Sequence, residues 1–290
     1  MKLAFLGLGA MGSGMAANLV KAGHRVRAFD LSPDALAAAR QAGCAAFDSA
    51  REAVAGADAV VTMLPNGAIV KSVYGGDIIG HAPPAALLLD CSTIDVATAR
   101  EVIGLAEAAG HAMVDAPVSG GIAAAAGGTL TFMVGGTDEA FARAEPILGA
   151  MGKAVIHAGD AGNGQAAKIC NNMALAIHMI GTCEAFAMAE KLGLDPQTFY
   201  DIASVSSGQS WSVTSYCPVA GVGPASPADR GFEGGFAAAL MLKDLKLAAE
   251  AAELAGARIP LGAHARDIYE AFAAENGRRD FSAIIEPLSA

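Results

Sequence analysis

"KLAFLGLGAMGSGMAANLVKAGHRVRAFD", residues 2–30, decides the fold of this chain. The apolar run that follows Lys2 and the small residues Ala10, Gly12 and Ser13 fit a short secretion signal. Gly7, Gly9 and Gly12 in GxGxxG spacing fit a loop that cradles phosphates. The glycine motif alone is weak, so its surroundings decide. A short apolar run precedes Gly7, a helical pattern opens at Gly12 and ends in "KAGH", and a second apolar run ends in Asp30. That register of strand, glycine turn, helix, strand and acid is what a dinucleotide-binding βαβ unit needs, and a signal peptide needs none of it.

Each glycine then has a task. The first permits the turn, the second lets backbone approach a pyrophosphate, and the third lets the helix pack on its strand with its N-terminus facing negative charge. Gly7, Leu8, Gly9, Ala10, Met11 and Gly12 are the candidate cofactor-binding residues of this turn. A carboxylate at Asp30 accepts both ribose hydroxyl protons and repels a 2′-phosphate, which favours NAD over NADP. Asp30 as a plain solvated acid at a strand end remains the bland alternative. Arg25 and Arg27 precede the strand's end and are not expected to bind a phosphate.

The alternation continues through "SPDALAAARQAG" to apolar runs at 59–64, 87–92, 112–118, 130–136 and 154–159, with helical patterns at 95–110 and 137–150 between them. This predicts βαβ units on a parallel sheet. Beyond about residue 162 strand signals vanish and a helical pattern runs from "GNGQAAKICNN" to Leu192, followed by a helix opening at Asp195-Pro196. The expected organisation is an α/β Rossmann-like domain over 1–162 and an all-α domain over 163–290. "YCPVAGVGPASPADRGFEGG" (216–235) reads as an extended loop of a length that is usually functional or mobile, and "AAAA" at 123–126 as a helical turn.

Composition narrows the partners. Of 290 residues, 53% are hydrophobic and 17% charged, with 35 glycines, which suits packed layers rather than disorder. A net charge of −10 without any Lys/Arg cluster argues against nucleic acid and for a small-molecule substrate. The five cysteines, Cys44, Cys91, Cys170, Cys183 and Cys217, show no CxxC pair and no histidines at metal spacing, so no metal and a reducing cytoplasmic setting are expected. "MALAIHMIGTCEAFAMA" (173–189) is too short for a bilayer and reads as a buried helix, with no membrane partner.

Several stretches carry candidate chemistry. "DAPVSGG" (115–121) ends a strand in Ser119, Gly120 and Gly121, whose hydroxyl and N–H groups fit a carboxylate as well as they fit an ordinary Gly-Gly turn. "GQAAKICNN" places Lys168 and Asn172 four residues apart on one helix face among apolar neighbours. A lysine held in a cleft has its pKa lowered toward neutrality and exchanges protons; a snorkelling lysine is the competing account. Lys243 in "LMLKDLKLA" is a second cation on an apolar helix, whereas Lys246 reads as a solvated charge. Trp211, the single tryptophan, walls a pocket or fills the core. His24 is explained by a helix end, and the order of Ser, His and Asp does not suggest a hydrolase.

"FLGLGAMGSGMAANLVKAGH", "DCSTIDVATAR", "DAPVSGGIAAAAGGTLTFMVGG", "GNGQAAKICNN" and "KDLKLA" occur in an order that resembles the β-hydroxyacid dehydrogenases over essentially the whole chain. "SSGQSW", the Pro/Gly-rich loop and "GGFAAALMLKDLKLA" are similar to the branch that oxidises 3-hydroxyisobutyrate with NAD in valine breakdown. The resemblance implies a 6-phosphogluconate dehydrogenase-like fold and a product, methylmalonate semialdehyde. It implies Lys168 as catalytic base, Asn172 as a substrate holder, and Ser119, Gly120 and Gly121 as the carboxylate site. It further implies Lys243 near nicotinamide and substrate, Thr93 on the cofactor, and Met63, Leu64 and Pro65 along the cofactor cleft, with Trp211 and Phe236 suiting a methyl-bearing substrate. Val96 stands where the family commonly has proline and Ala10 where asparagine is frequent.

Two alternatives stay open. Sister enzymes acting on 3-hydroxypropionate, or reducing tartronate or succinate semialdehyde, share these motifs. A catalytically silent dinucleotide-binding scaffold is disfavoured, because a binding module has no need of a proton acceptor. The apolar surface of the helical half points to a homodimer or homotetramer.

Overall fold

The computed structural model describes residues 1–289 and divides into two compact units, Met1–Lys168 and a second that begins at Ile169. The boundary expected at 162/163 coincides with the start of a long helix, six residues before this division.

The first unit is built on β1 (Lys2–Leu6), β2 (Arg25–Phe29), β3 (Ala45–Ala46), β4 (Ala59–Thr62), β5 (Leu87–Asp90), β6 (Met113–Asp115), β7 (Val118–Ser119), β8 (Leu130–Gly135) and β9 (Gly152–Gly159). Strands β3-β2-β1-β4-β5-β6 lie side by side and parallel, in the doubly wound order. Every residue of β4 and β5 is buried, as runs such as "AVVT" and "LLLD" require when helices cover both faces. Helices α1 (Gly12–Lys21), α2 (Pro33–Gln41), α3 (Ala50–Val54), α4 (Gly67–Val73) and α5 (Val96–Ala108) make the crossovers. Ser32, Ser49, Asn66 and Asp95 each cap the helix that follows by accepting a backbone N–H.

The all-parallel expectation holds only as far as β6. Residues 112–118, expected as one strand, break at Ala116-Pro117, where proline has no N–H for the ladder. β6 stays parallel to β5, and β7 pairs antiparallel with β8. β9 then runs parallel to β8. The alanine run forms α6 (Gly121–Gly127), and α7 (Asp138–Gly149) is capped by Thr137.

Next comes α8 (Asn163–Lys191), a 29-residue helix. Residues 173–189 are helical but not buried all round: Ala176, Met179, Cys183 and Phe186 face the core, whereas His178, Glu184 and Met188 are exposed. That stretch covers a core on one face only, and the buried-helix reading is corrected to that extent. No helix among the described residues is long and apolar enough to cross a membrane. The second unit adds α9 (Pro196–Ala203), capped by Asp195, then α10 (Trp211–Thr214), α11 (Ala238–Ala255), α12 (Pro260–Asn276) and α13 (Ile285–Ser289). Residues 216–235 are a compact loop rather than an extended one. They include a 3-10 turn at Pro227–Arg230, and Cys217, Ser226, Ala228 and Phe232 are buried beneath it.

Candidate active site

The carboxyl ends of β1, β2, β4, β5 and β6 lie along one sheet edge, and the predicted cofactor residues Gly7 to Gly12, Asp30, Met63 to Pro65 and Thr93 follow those ends, whereas Lys243 belongs to the second unit. Gly7 has φ +94°, and a Cβ on it would strike the Met63 carbonyl oxygen and lie 3.2 Å from Leu64. A Cβ on Gly12 would strike the Gly7 carbonyl oxygen. Gly9, in contrast, has nothing within 4 Å of where its Cβ would be. The outer two glycines therefore permit close packing while the middle one leaves backbone open to an approaching group. No side chain caps the start of α1, and although Ser13 N donates to Gly9 O at 3.1 Å, the positive end of the helix is left without a side-chain competitor for an anion.

Asp30 completes this edge. Its Oδ2 accepts from Leu8 N at 2.6 Å and its Oδ1 from Ser32 N at 2.7 Å, which orients the carboxylate at the end of β2. The pinched glycine turn, the open Gly9, the uncapped helix start and the oriented acid fit a dinucleotide. Arg27 is occupied elsewhere: Nε donates to Ala53 O at 2.8 Å, and the guanidinium lies 4.0 Å over the Phe47 ring.

A buried polar network ties the adjoining loops together, and the sequence reading missed it. Asp90 Oδ1 accepts from Thr62 Oγ1 at 2.7 Å and from Ser92 Oγ at 2.6 Å, while Ser92 Oγ accepts from Leu64 N at 2.8 Å. Thus Met63-Leu64-Pro65 is fastened to the segment bearing Thr93. Gln165 Nε2 donates to Ser92 O at 2.8 Å, and its Oε1 accepts from Ile94 N at 3.1 Å. Asp115 Oδ1 accepts from Gly162 N at 2.7 Å and its Oδ2 from Gln165 N at 2.8 Å. Burial pushes the Asp90 carboxyl up to about 6 and the Asp115 carboxyl up as well. The signal available in the sequence was an acid closing each apolar strand, "LLLD" and "MVD".

Lys168 lies three residues past Gln165, on nearly the same helix face, and is only 8% exposed. The Ser119 turn belongs to this same unit. Gly120 and Gly121 have φ +137° and +72°, conformations that other residues resist, so the pair is required by the turn itself. The helix that follows lies tight on α1: a Cβ on Gly14 would sit 2.9 Å from the Ala125 backbone, and Asn18 Nδ2 donates to Ala125 O at 2.7 Å.

The second unit holds the other predicted residues in two groups. Asn172 Nδ2 donates to Asp244 Oδ2 at 2.5 Å, and Lys243 Nζ lies 3.6 Å from Asp244 Oδ1. Asp244, 3% exposed, links the two predicted residues and was overlooked although it adjoins Lys243 in sequence. Lys246 is half-exposed and pairs with Glu270 at 2.8 Å. Trp211 and Phe236 belong to an aromatic ladder instead. Trp211 stacks on Tyr216 with ring centroids 4.7 Å apart, Tyr216 on Phe281 at 5.6 Å, and Phe236 meets Phe281 edge-on at 5.8 Å. Trp211 is 48% exposed, so it does not fill the core. Asp280, fully buried, organises the ladder by accepting from Tyr216 OH at 2.8 Å and Phe236 N at 2.7 Å.

Among the described residues no cluster of His, Cys, Asp or Glu could hold a metal. Cys44, Cys91, Cys183 and Cys217 are buried and burial pushes their thiols up; Cys170, on α8 between Lys168 and Asn172, is exposed.

Comparison with known proteins agrees with this geometry. Residues 2–159 match the NAD binding domain of 6-phosphogluconate dehydrogenase, and residues 162–288 match the NAD-binding domain of NADP-dependent 3-hydroxyisobutyrate dehydrogenase. A solved structure of Mycobacterium tuberculosis 3-hydroxyisobutyrate dehydrogenase with L-serine superposes with a TM-score of 0.95 at 52% identity, covering 100% of this chain and 99% of that one. A 3-hydroxyisobutyrate dehydrogenase of Pseudomonas aeruginosa is 50% identical, covering 97% of this chain and 96% of the relative. An NAD-dependent L-serine dehydrogenase of the same organism is 46% identical, covering 98% and 96%. With its NAD-binding domains and the fold of these oxidoreductases along its full length, the chain belongs to the 3-hydroxyisobutyrate dehydrogenase family.

Proposed function

We propose that the chain oxidises 3-hydroxyisobutyrate to methylmalonate semialdehyde with NAD, and that Lys168 is the general base. The observation that carries this is a lysine buried to 8% exposure in the first turns of an apolar helix, in the same unit as the glycine loop and the Ser119 turn. Gly7 to Gly12, Asp30, Met63 to Pro65 and Thr93 hold the cofactor, with Asp30 selecting against a 2′-phosphate. NAD, once bound, supplies the hydride acceptor. The hydroxyl and N–H groups of Ser119, Gly120 and Gly121 take the substrate carboxylate, which directs the 3-hydroxyl at Lys168. Neutral Lys168 Nζ removes the hydroxyl proton. Asn172, oriented by Asp244, helps hold the substrate, and Lys243 serves the substrate and the nicotinamide. Trp211 and Phe236, backed in the ladder by Tyr216 and the buried Phe281, suit a substrate methyl group, which favours 3-hydroxyisobutyrate over polyhydroxy acids. Exposed Met188, Leu192, Leu254 and Leu261 in the second unit support assembly as a homodimer or homotetramer.

The test is the initial rate of NADH formation on 3-hydroxyisobutyrate, 3-hydroxypropionate, glycerate and L-serine, repeated with NADP. The expected outcome is the highest kcat/KM for 3-hydroxyisobutyrate with NAD. A profile led by L-serine, the substrate named for one relative, overturns the substrate assignment and leaves the base in place. Lys168→Ala is expected to lose about 10²–10⁴ of kcat while still binding NADH; retention of most of kcat overturns the base.

A further inference from the structure

The first turn of α8 is fastened at both its backbone and its side chains. Asp115, 1% exposed, spans two N–H groups there, those of Gly162 and Gln165. Gly164 is pressed against β8 so closely that a Cβ would strike the Met133 carbonyl oxygen and lie 2.8 Å from Asp115 Oδ2. The Gln165 amide, wholly buried, then reaches to Ser92 O and Ile94 N, the backbone groups flanking Thr93. Ser92 in turn holds Leu64 N. Three segments distant in sequence, 62–64, 90–94 and 162–165, are thereby one hydrogen-bonded object, and Lys168 sits one helical turn beyond it.

We infer that Gln165 and Asp115 are positioning residues for Lys168, fixing the lysine relative to the loops that carry Leu64 and Thr93. The inference rests on the reading of Lys168 as the base. Asp115 sets where the helix begins, and because the helix is rigid over one turn, a displacement at 162–165 is passed undiminished to residue 168. Gln165 sets the distance between the helix and the 92–94 segment. Its amide suits this because it donates to the Ser92 carbonyl and accepts from the Ile94 N–H at the same time. A reacting geometry is sensitive to displacements of about 1 Å, which is why such a clamp bears on rate and not only on stability.

Gln165→Met removes both bonds at nearly constant volume. The expected result is a kcat at least about tenfold lower, a hydroxyacid KM changed much less, and faster amide hydrogen exchange at 92–94 and 163–168 in the protein free of ligands. Gln165→Glu gives the second readout. Its protonated carboxyl donates to Ser92 O and accepts from Ile94 N as the amide does; its ionised form cannot donate. The ratio of its kcat to that of the parent is therefore expected to fall as pH rises, with no such trend for Gln165→Met. A merely structural role would lower the melting temperature and leave the kcat of the folded fraction unchanged. If Gln165→Met fails to fold, Asp115→Asn, which keeps one of the two acceptors, is measured in its place and the same kcat loss and exchange increase at 163–168 are expected. A kcat within twofold of the parent for the folded variants, or a pH-independent ratio for Gln165→Glu, overturns the inference. Lys168→Ala measured alongside separates the two ideas: an active Lys168→Ala overturns the base and this inference with it, and an inactive one beside a fully active Gln165→Met overturns the positioning alone.

Discussion

Replacing Asp90 by Asn tests whether burial governs the network beneath the cofactor loops. The carboxyl is wholly buried, and burial raises it from an ordinary value of 3.8 to about 6, outweighing the hydrogen bonds from Ser92 and Thr62; the Asp115 charge adds to the rise. In the unfolded chain Asp90 loses its proton near pH 4, whereas in the folded chain it keeps it until about pH 6. The folded state thus binds more protons across that window, and its stability must fall as pH rises through it. The contribution is fully present below about pH 4 and is lost by the time the folded carboxyl has ionised. With each pKa unit equal to about 1.4 kcal/mol, the total is about 3 kcal/mol. Asn keeps a carbonyl oxygen for Thr62 Oγ1 and Ser92 Oγ and has no proton to lose. Urea unfolding of both proteins, followed by circular dichroism between pH 3.5 and 7.5, gives a difference in which the carboxyls that do not interact with Asp90 cancel. The parent is expected to lose about 3 kcal/mol relative to Asp90→Asn across this range, most of it between pH 4 and pH 6. A flat difference would show that Asp90 ionises alike in both states, and the argument from burial would be refuted.

Two further perturbations concern the cofactor edge. Asp30→Ser is expected to narrow the preference for NAD over NADP by about tenfold in kcat/KM, as removal of one charge repulsion of about 1.4 kcal/mol implies; an unchanged ratio would remove Asp30 as the selector. Gly12→Ala drives a methyl into the Gly7 carbonyl and is expected to cost about 2 kcal/mol or more in unfolding free energy. Gly9→Ala meets no protein atom, so it should leave stability nearly unchanged and weaken NADH binding in a fluorescence titration. Equal loss of stability at both positions would contradict the division of labour between these glycines.

The parts of this molecule that follow from local pattern were legible in the sequence. The glycine spacing, the acid at Asp30 and the apolar runs of β1, β4 and β5 are all set by neighbours within one βαβ unit. Even the helical turn at 123–126 follows from an alanine run. What was not legible depends on pairs far apart in the chain. Asp115 meets Gly162 and Gln165 at separations of 47 and 50 residues, and Asn172 meets Asp244 at 72. A strand-ending acid announces itself, but nothing in its own neighbourhood says which N–H groups return to it. The break of 112–118 at Pro117 was visible as a proline, yet the reversal of β8 that uses it is a matter of pairing. The one-sided burial of α8 similarly reflects what α8 packs against, since an apolar stretch reads alike whether one face or both are covered.

The distribution of sulfur also has a practical consequence. Four of the five thiols are buried with their ionisation suppressed, and Cys170 alone is exposed, two residues from Lys168. The unaltered chain therefore offers a single addressable attachment point. A maleimide fluorophore or spin label placed there, with no cysteine engineered in or out, would sit within one turn of the lysine and report on the motions of that helix as substrate and nucleotide arrive.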